Sequence, residues 1–219
     1  QLKIPIFNVP YHQKLLSEES ESYMGLADIH QYPPSKFAFH ESDLILMLGA
    51  RLDNQMNFGN PPLFPESTKL VCINASHEEI EFNRAADINL LSDIEAFCDS
   101  LIKLKSSQKW NLKEEWFSLN KDKRAKWVES SMLKLNKETE EEKANDEKIH
   151  PLQLALDVQE IMKDDDWLVI DGGNTHFWSE IAINIAGWKG KKLGGIMHPG
   201  NYSLLGVGVS FAISAKAKN

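Results

Sequence analysis

Trp167-Leu168-Val169-Ile170-Asp171-Gly172-Gly173-Asn174-Thr175-His176-Phe177-Trp178 is the stretch that decides how this chain folds. Its four leading apolar residues form a short continuous run, as in a strand covered on both faces, which is the habit of parallel sheets. Two glycines then turn the chain into a helix that runs to about Ala186. A strand that passes through glycines into a helix leaves free backbone amides where an anion sits. Asn174 and Thr175 add side-chain donors suited to phosphate oxygens. A Gly-Gly turn also serves as plain structural punctuation, so the segment alone leaves both readings open.

Working outward, His150-Pro151 opens a helix with Pro at a favoured first position and an apolar face of Leu152, Leu154, Ala155, Val158, Ile161 and Met162. Downstream, a strand is expected within Lys192–Met197. Gly200-Asn201-Tyr202-Ser203-Leu204-Leu205-Gly206-Val207-Gly208 follows, a flexible loop entering an apolar helix rich in small residues. That loop fits either a ligand site or the cap of a buried helix.

The first half repeats the strand–helix alternation. Leu2–Phe7 reads as a strand, and Tyr32-Pro33-Pro34 as a break before a short helix over Ser35–Ser42. Asp43–Gly49 is a continuous apolar strand ending at glycine, and Lys69–Asn74 is the next. Ser76-His77-Glu78-Glu79 has the form of a capping box. Ile88–Leu91 is a further strand, after which Asp93 caps an amphipathic helix carrying Ile94, Phe97, Cys98, Leu101 and Ile102. Alternation of this kind predicts βαβ units and a parallel sheet, an α/β fold. Between Ser106 and Lys148 charge is dense and the apolar residues are sparse and helically spaced. This predicts a connector of surface helices. The expected domains are therefore 1–105, a charged helical linker over 106–149, and a second α/β unit over 150–219.

A net charge of −8 disfavours a partner bound through phosphate neutralisation, so no nucleic acid is expected, nor a polybasic membrane anchor. No apolar run approaches the about 18 residues of a membrane-spanning helix. The two cysteines, Cys72 and Cys98, lack metal-knuckle spacing and read as reduced thiols of a cytoplasmic protein. The chain begins with Gln rather than Met, in what reads as a core strand, which suggests a start in mid-domain.

Taken in order, these segments resemble the thiamine-diphosphate-dependent enzymes of the acetolactate synthase, 2-hydroxyacyl-CoA lyase and benzaldehyde lyase group. Asp171–Trp178 is similar to the family's turn Asp-Val-Gly-Gln-His-Gln-Met-Trp. Ser203-Leu204-Leu205-Gly206-Val207-Gly208 is similar to the end of Gly-x-Gly-(Thr/Ser)-Met-Gly-x-Gly. Gly49-Ala50-Arg51-Leu52, Asn83-Arg84 and Ala86-Asp87 follow the pattern of its central domain. The resemblance implies a Rossmann-like, parallel-sheet central domain in part, followed by the start of a thiamine-diphosphate-binding α/β domain. It implies that Gly173, Asn174 and Thr175 meet the cofactor diphosphate and that the carbonyl of Ser203 meets the aminopyrimidine, within the loop Ser203, Leu204, Leu205. Leu205, where relatives carry Met, would support the bent cofactor. Gly49 and Arg51 would lie at a nucleotide-facing edge, for FAD or a CoA nucleotide, although Asn74 replaces an acid common after that strand.

The resemblance further implies Mg2+ with the diphosphate, its Gly-Asp-Gly ligands expected after Asn219, and a catalytic Glu expected in a domain before Gln1. No catalytic residue is therefore assigned within the chain, and no turnover is expected from the chain alone. Its activity would be 2-oxoacid decarboxylation and carboligation, in a homodimer or homotetramer acting on a small-molecule 2-oxoacid. A 2-hydroxyacyl-CoA lyase, a 2-oxoacid decarboxylase and a non-catalytic nucleotide-binding or scaffold module are the alternatives. His198, just before Pro199-Gly200, is a candidate for a substrate or cofactor contact, whereas His176 reads more readily as a packed helix residue.

Overall fold

The computed structural model describes residues 3–9, 20–80, 82–107, 110, 113–144, 149–187, 190–202 and 204–218. In chain order its elements are β1 (Ile6–Asn8), β2 (Tyr23–Leu26), α1 (Pro33–Glu41), β3 (Leu44–Leu48), β4 (Lys69–Asn74), β5 (Ile88–Leu91) and α2 (Ile94–Ser107). There follow α3 (Glu114–Ala144), α4 (Pro151–Ile161), β6 (Trp167–Val169), α5 (Asn174–Ala186), β7 (Gly195–Met197) and α6 (Gly208–Lys218). All strand pairings are parallel, so the fold is α/β as the alternation predicts.

Two compact units form, one from Gln1–Pro5 with Ala27–Asn120, the other from Ile6–Leu26 with Lys121–Asn219. The first is built on the sheet β3-β4-β5. In it Leu46 lies opposite Val71 and Val71 opposite Ile88. Its core includes Phe39, Met47, Phe64, Leu70, Cys72 and Ile73. The rings of Phe39 and Phe64 stack 5.3 Å apart. One cation organises the loop between β3 and β4. The guanidinium of Arg84 donates to the carbonyls of Gly59, Phe64, Pro65 and Thr68 at 3.0–3.2 Å, satisfying backbone acceptors that the irregular chain leaves unpaired.

Two sequence expectations in this unit are corrected. The helix expected over Ser35–Ser42 begins at Pro33, because proline lacks only an amide that the first turn does not use. The capping box at Ser76 does not form. His77–Glu79 makes a single 3-10 turn without a side-chain cap, and Asn74 Oδ1 accepts the amide of Ser76 instead. Glu79, whose side chain a capping box would use, is drawn to Arg51.

In the second unit β6 pairs with β7, and β1 with β2. Met162, Ile183 and Leu193 form one core cluster, while Leu135, Leu152 and Ala182 form another. The connector expected over 106–149 contains one 31-residue helix, α3, whose Leu135 is deeply buried. Helix α5 reaches β2 through a specific contact, Leu26 N donating to Asn184 Oδ1 at 2.9 Å. Among the described residues, no helix is long and apolar enough to cross a membrane.

Candidate functional site

Strands β6 and β7 run side by side with Val169 opposite Met197, and the amide of Ile170 extends the pairing to Met197 O at 2.8 Å. Close pairing here depends on small residues. A Cβ on Gly195 would lie 2.3 Å from the Trp167 ring. Because the strands are parallel, both chains leave the sheet at the same carboxyl edge. Asp171-Gly172-Gly173 departs from one and His198-Pro199-Gly200 from the other.

Gly173, at φ +77°, precedes the first residue of α5 and offers no capping side chain. Gly173, Asn174 and Thr175 are exposed there. Helix α6 starts differently. The Asp171 carboxylate accepts from the amides of Gly206 and Val207 at 2.9 and 3.1 Å, and from its neighbour Gly172 at 2.8 Å. Those backbone donors stabilise the anion and hold the carboxyl below its ordinary range. The helix starts are thus chemically distinct: α6 is supplied with an anion from within the protein, and the start of α5 is open to one from outside.

The same interaction draws the two glycine-containing segments together. A Cβ on Gly172 would sit 2.5 Å from the Leu204 carbonyl oxygen, so only glycine permits this approach. Leu205 Cδ2 lies 3.1–3.2 Å from the Cβ positions of Gly172 and Gly173, and Leu205 remains 74% exposed. An apolar side chain is therefore presented beside Gly173, which the exposed Asn174 and Thr175 follow in the chain. Of the expected contacts, Gly173 lies beside Leu205 and its neighbour Gly172 beside Leu204 and Leu205, Asn174 and Thr175 follow Gly173 in the chain, and Ser203 lies outside the described residues.

Behind this edge runs a buried polar face that the apolar appearance of α5 conceals. His176, Glu180 and Asn184 succeed one another at four-residue spacing, all buried, with Glu180 at 0% exposure. His176 Nε2 lies 3.3 Å from Glu180 Oε1. The His176 ring stacks on that of His198, centroids 4.9 Å apart and planes 23° from parallel. His198 Nδ1 accepts the amide of Gly200 at 3.2 Å. A Glu and an Asn recurring on the face of His176 within an otherwise apolar helix are the sequence signal for this arrangement.

In the other unit, Gly49 closes β3 at φ +62° and donates its amide to Ile73 O at 2.8 Å. Arg51 does not project freely. Its Nε donates to Glu79 Oε2 at 2.6 Å, a second nitrogen meets Glu79 Oε1, and the guanidinium stacks 4.8 Å from the Phe82 ring centroid. This bidentate partner raises the arginine pKa and lowers that of Glu79. Among the described residues, no group of three His, Cys, Asp or Glu is arranged to hold a metal ion.

Comparison with known proteins gives concordant results. Residues 1–101 match the family described as thiamine pyrophosphate enzyme, central domain. The chain is 23% identical over 220 residues to 2-hydroxyacyl-CoA lyase 1 of Mus musculus, covering 98% of this chain and 34% of that protein. It is likewise 23% identical over 219 residues to the acetolactate synthase large subunit of Cyanidium caldarium, covering 100% of this chain and 35% of that one. A 2-hydroxyacyl-CoA lyase of Arabidopsis thaliana is 29% identical over 136 residues, 61% of this chain and 21% of that protein. The chain thus spans about a third of the length of the two relatives it matches end to end.

Proposed function

We propose, from the match of residues 1–101 to the thiamine pyrophosphate enzyme central domain and from relatives matching end to end at 23% identity, that this chain is part of a thiamine-diphosphate-dependent enzyme and that the carboxyl edge of β6 and β7 holds the cofactor for 2-oxoacid decarboxylation and carboligation. The observation that carries the reading is the joining of the two glycine segments by Asp171, which sets exposed polar donors beside an exposed apolar side chain. Thiamine diphosphate has that duality, an anionic tail and a ring system. The residues fit it: Gly173, Asn174 and Thr175 supply backbone, amide and hydroxyl donors for the diphosphate, while Leu205 supplies bulk beneath the rings. The carbonyl of Ser203 is assigned to the aminopyrimidine.

When bound, thiamine diphosphate supplies the electron sink for carbon–carbon bond cleavage and formation. The protein's part at this edge is to bind and orient. Asp171 fixes the loop against the glycine turn, so donors and apolar support are positioned before the ligand arrives. Mg2+ is proposed as counter-ion to the diphosphate, although among the described residues no group of three His, Cys, Asp or Glu is arranged to hold it. We further assign the parent protein to a cytoplasmic homodimer or homotetramer. A nucleotide at Gly49 and Arg51 would require Arg51 to exchange Glu79 for a phosphate.

The second chemistry favoured by a specific observation is 2-hydroxyacyl-CoA cleavage, since relatives of both names match across the chain at 23% identity. Assay of the full-length protein on pyruvate and on a 2-hydroxyacyl-CoA separates the two. The cofactor assignment itself is tested by calorimetric titration of thiamine diphosphate with Mg2+ into the full-length protein. Asn174→Ala and Thr175→Ala are each expected to weaken binding by about tenfold, the loss of one hydrogen bond to a charged group. No binding by the intact protein would sink the assignment and leave a shared fold.

A further inference from the structure

We propose that Asp171 is a positioning residue of the carboxyl-edge site: its carboxylate sets where Leu205 lies, and it acts on the bound molecule through that side chain rather than by touching it. The inference rests on the cofactor reading above and adds to it the group on which the support beneath the rings depends.

Burial does not hold the segment that carries Leu205. Leu204, Leu205 and Gly206 are all exposed. A Cβ on Gly206 would meet nothing within 4 Å, and its φ of +86° is a conformation that glycine takes without strain. What fixes the segment is the residue at the end of β6. Asp171 Oδ1 accepts from the amides of Gly206 and Val207 at 2.9 and 3.1 Å and from that of Gly172 at 2.8 Å. Oδ2 lies 3.1 Å from the same Gly206 amide. Successive backbone amides closing on one carboxylate form an anion nest, here filled from within the chain. The nest brings Leu204 O so near the turn that a Cβ on Gly172 would lie 2.5 Å from it, and it brings Leu205 Cδ2 against Gly172 and Gly173.

Charge matters here more than shape. Asparagine has the outline of aspartate, but one of its two terminal atoms is a donor. In one orientation its NH2 would oppose the amide of Gly206; in the other it would oppose those of Gly172 and Val207 as well. Either way the segment loses its catch while the side chain keeps its size. Asp171→Asn therefore separates the carboxylate from mere packing.

The test is a double-mutant cycle, read by calorimetric titration of the full-length protein with thiamine diphosphate plus Mg2+. Leu205→Ala and Asp171→Asn are each expected to weaken binding by about tenfold, and the double variant also by about tenfold, because both remove one and the same support. Independent action predicts a loss of about a hundredfold in the double variant, and that result overturns the proposal, as does wild-type affinity in Asp171→Asn.

A second measurement needs neither substitution nor ligand. The amide of Gly172, with those of Gly206, Val207 and Gly208, holds the Asp171 carboxyl below its ordinary range against the cost of desolvation. In the full-length protein the Asp171 carboxyl carbon is expected to titrate below an ordinary aspartate, with the amide shifts of Gly206 and Val207 following the same transition. Amides that do not move as Asp171 titrates overturn the proposal. Wild-type protein that binds no thiamine diphosphate refutes the cofactor reading, and the titration then decides separately whether Asp171 holds the Leu205 segment.

Discussion

Asp171 shows how a residue legible as part of a motif acquires its role only in three dimensions. Sequence places it at the end of a strand before two glycines; nothing local reveals that it caps a helix 37 residues onward. The amides that bind its carboxylate hold its pKa down in the folded state, against about 3.9 in an unfolded chain. A depressed folded pKa means that the native state binds fewer protons. The stabilisation is therefore complete above the unfolded value and disappears as pH falls through the folded one. Asp171→Asn removes this titration. Thermal unfolding of the full-length protein should show a stability gap between wild type and Asp171→Asn that is widest near neutrality. It should close progressively below about pH 5. A gap constant with pH would mean that the charge of Asp171 contributes nothing. Glu79 at its partner Arg51 follows the same sign, but it illustrates a different failure of local reading. The sequence offers it to Ser76 three residues away, and a guanidinium from the end of another strand takes it. Two bonds to a guanidinium outweigh the single bond from a backbone amide that a capping box would give.

The elements around the proposed site were the more readable part, because their signals are local. Pro at the first position of α4, the glycine before α5 and the glycine before α6 all mark helix starts where the structure has them. Parallel pairing follows from strands separated by helices. The long α3 was harder. Its charge density reads as a solvated connector, yet its middle reaches the core. Leu135 is 1% exposed and packs with Leu152 and Ala182, flanked by Met132, Leu156 and Trp178. Sparse apolar residues on a charged helix carry weak periodicity, so only the partner surface reveals which of them is buried. His150 reinforces the same junction: Nδ1 accepts the amide of Leu152, and Nε2 lies 3.3 Å from Glu138. Leu135→Ala should cost about 2–5 kcal/mol of stability, the range for opening a cavity at a packed site. By contrast Lys137, paired with Glu141 at 3.8 Å on the exposed surface, should tolerate alanine within about 0.5 kcal/mol. Chemical denaturation of both variants in the full-length protein checks the contrast; equal, small effects would mean that α3 is held by its charges and not by Leu135.

At the scale of the whole molecule, a net charge of −8 opposes self-association while exposed apolar surface favours it. The surface in question lies on the sheet β3-β4-β5. Leu44, Leu46 and Leu48 alternate along β3 and are exposed, and Ile88 and Leu90 are exposed on β5. Through Val71 and Ile73 of β4 the register brings these rows onto one face, buried at Ile73 in its centre and exposed along its two outer strands. β3 and β5 are also the outer strands of this sheet. Parallel sheets are ordinarily covered on both faces, so a face exposed along its two outer strands is a surface that other chains can join. Charge decides the condition under which attraction prevails. The Debye length falls from about 14 Å at 0.05 M salt to about 4 Å at 0.5 M, which removes most of the repulsion and leaves apolar burial intact. The 219-residue chain by itself should therefore sediment as oligomers, more so at high salt. Leu46→Lys, placed on an edge strand at a position already exposed, should return it towards monomer without loss of core packing. A wild-type chain that stays monomeric at both salt concentrations would mean that this face is tolerated by water as it stands. An equally associated Leu46→Lys variant would move the self-association to another surface.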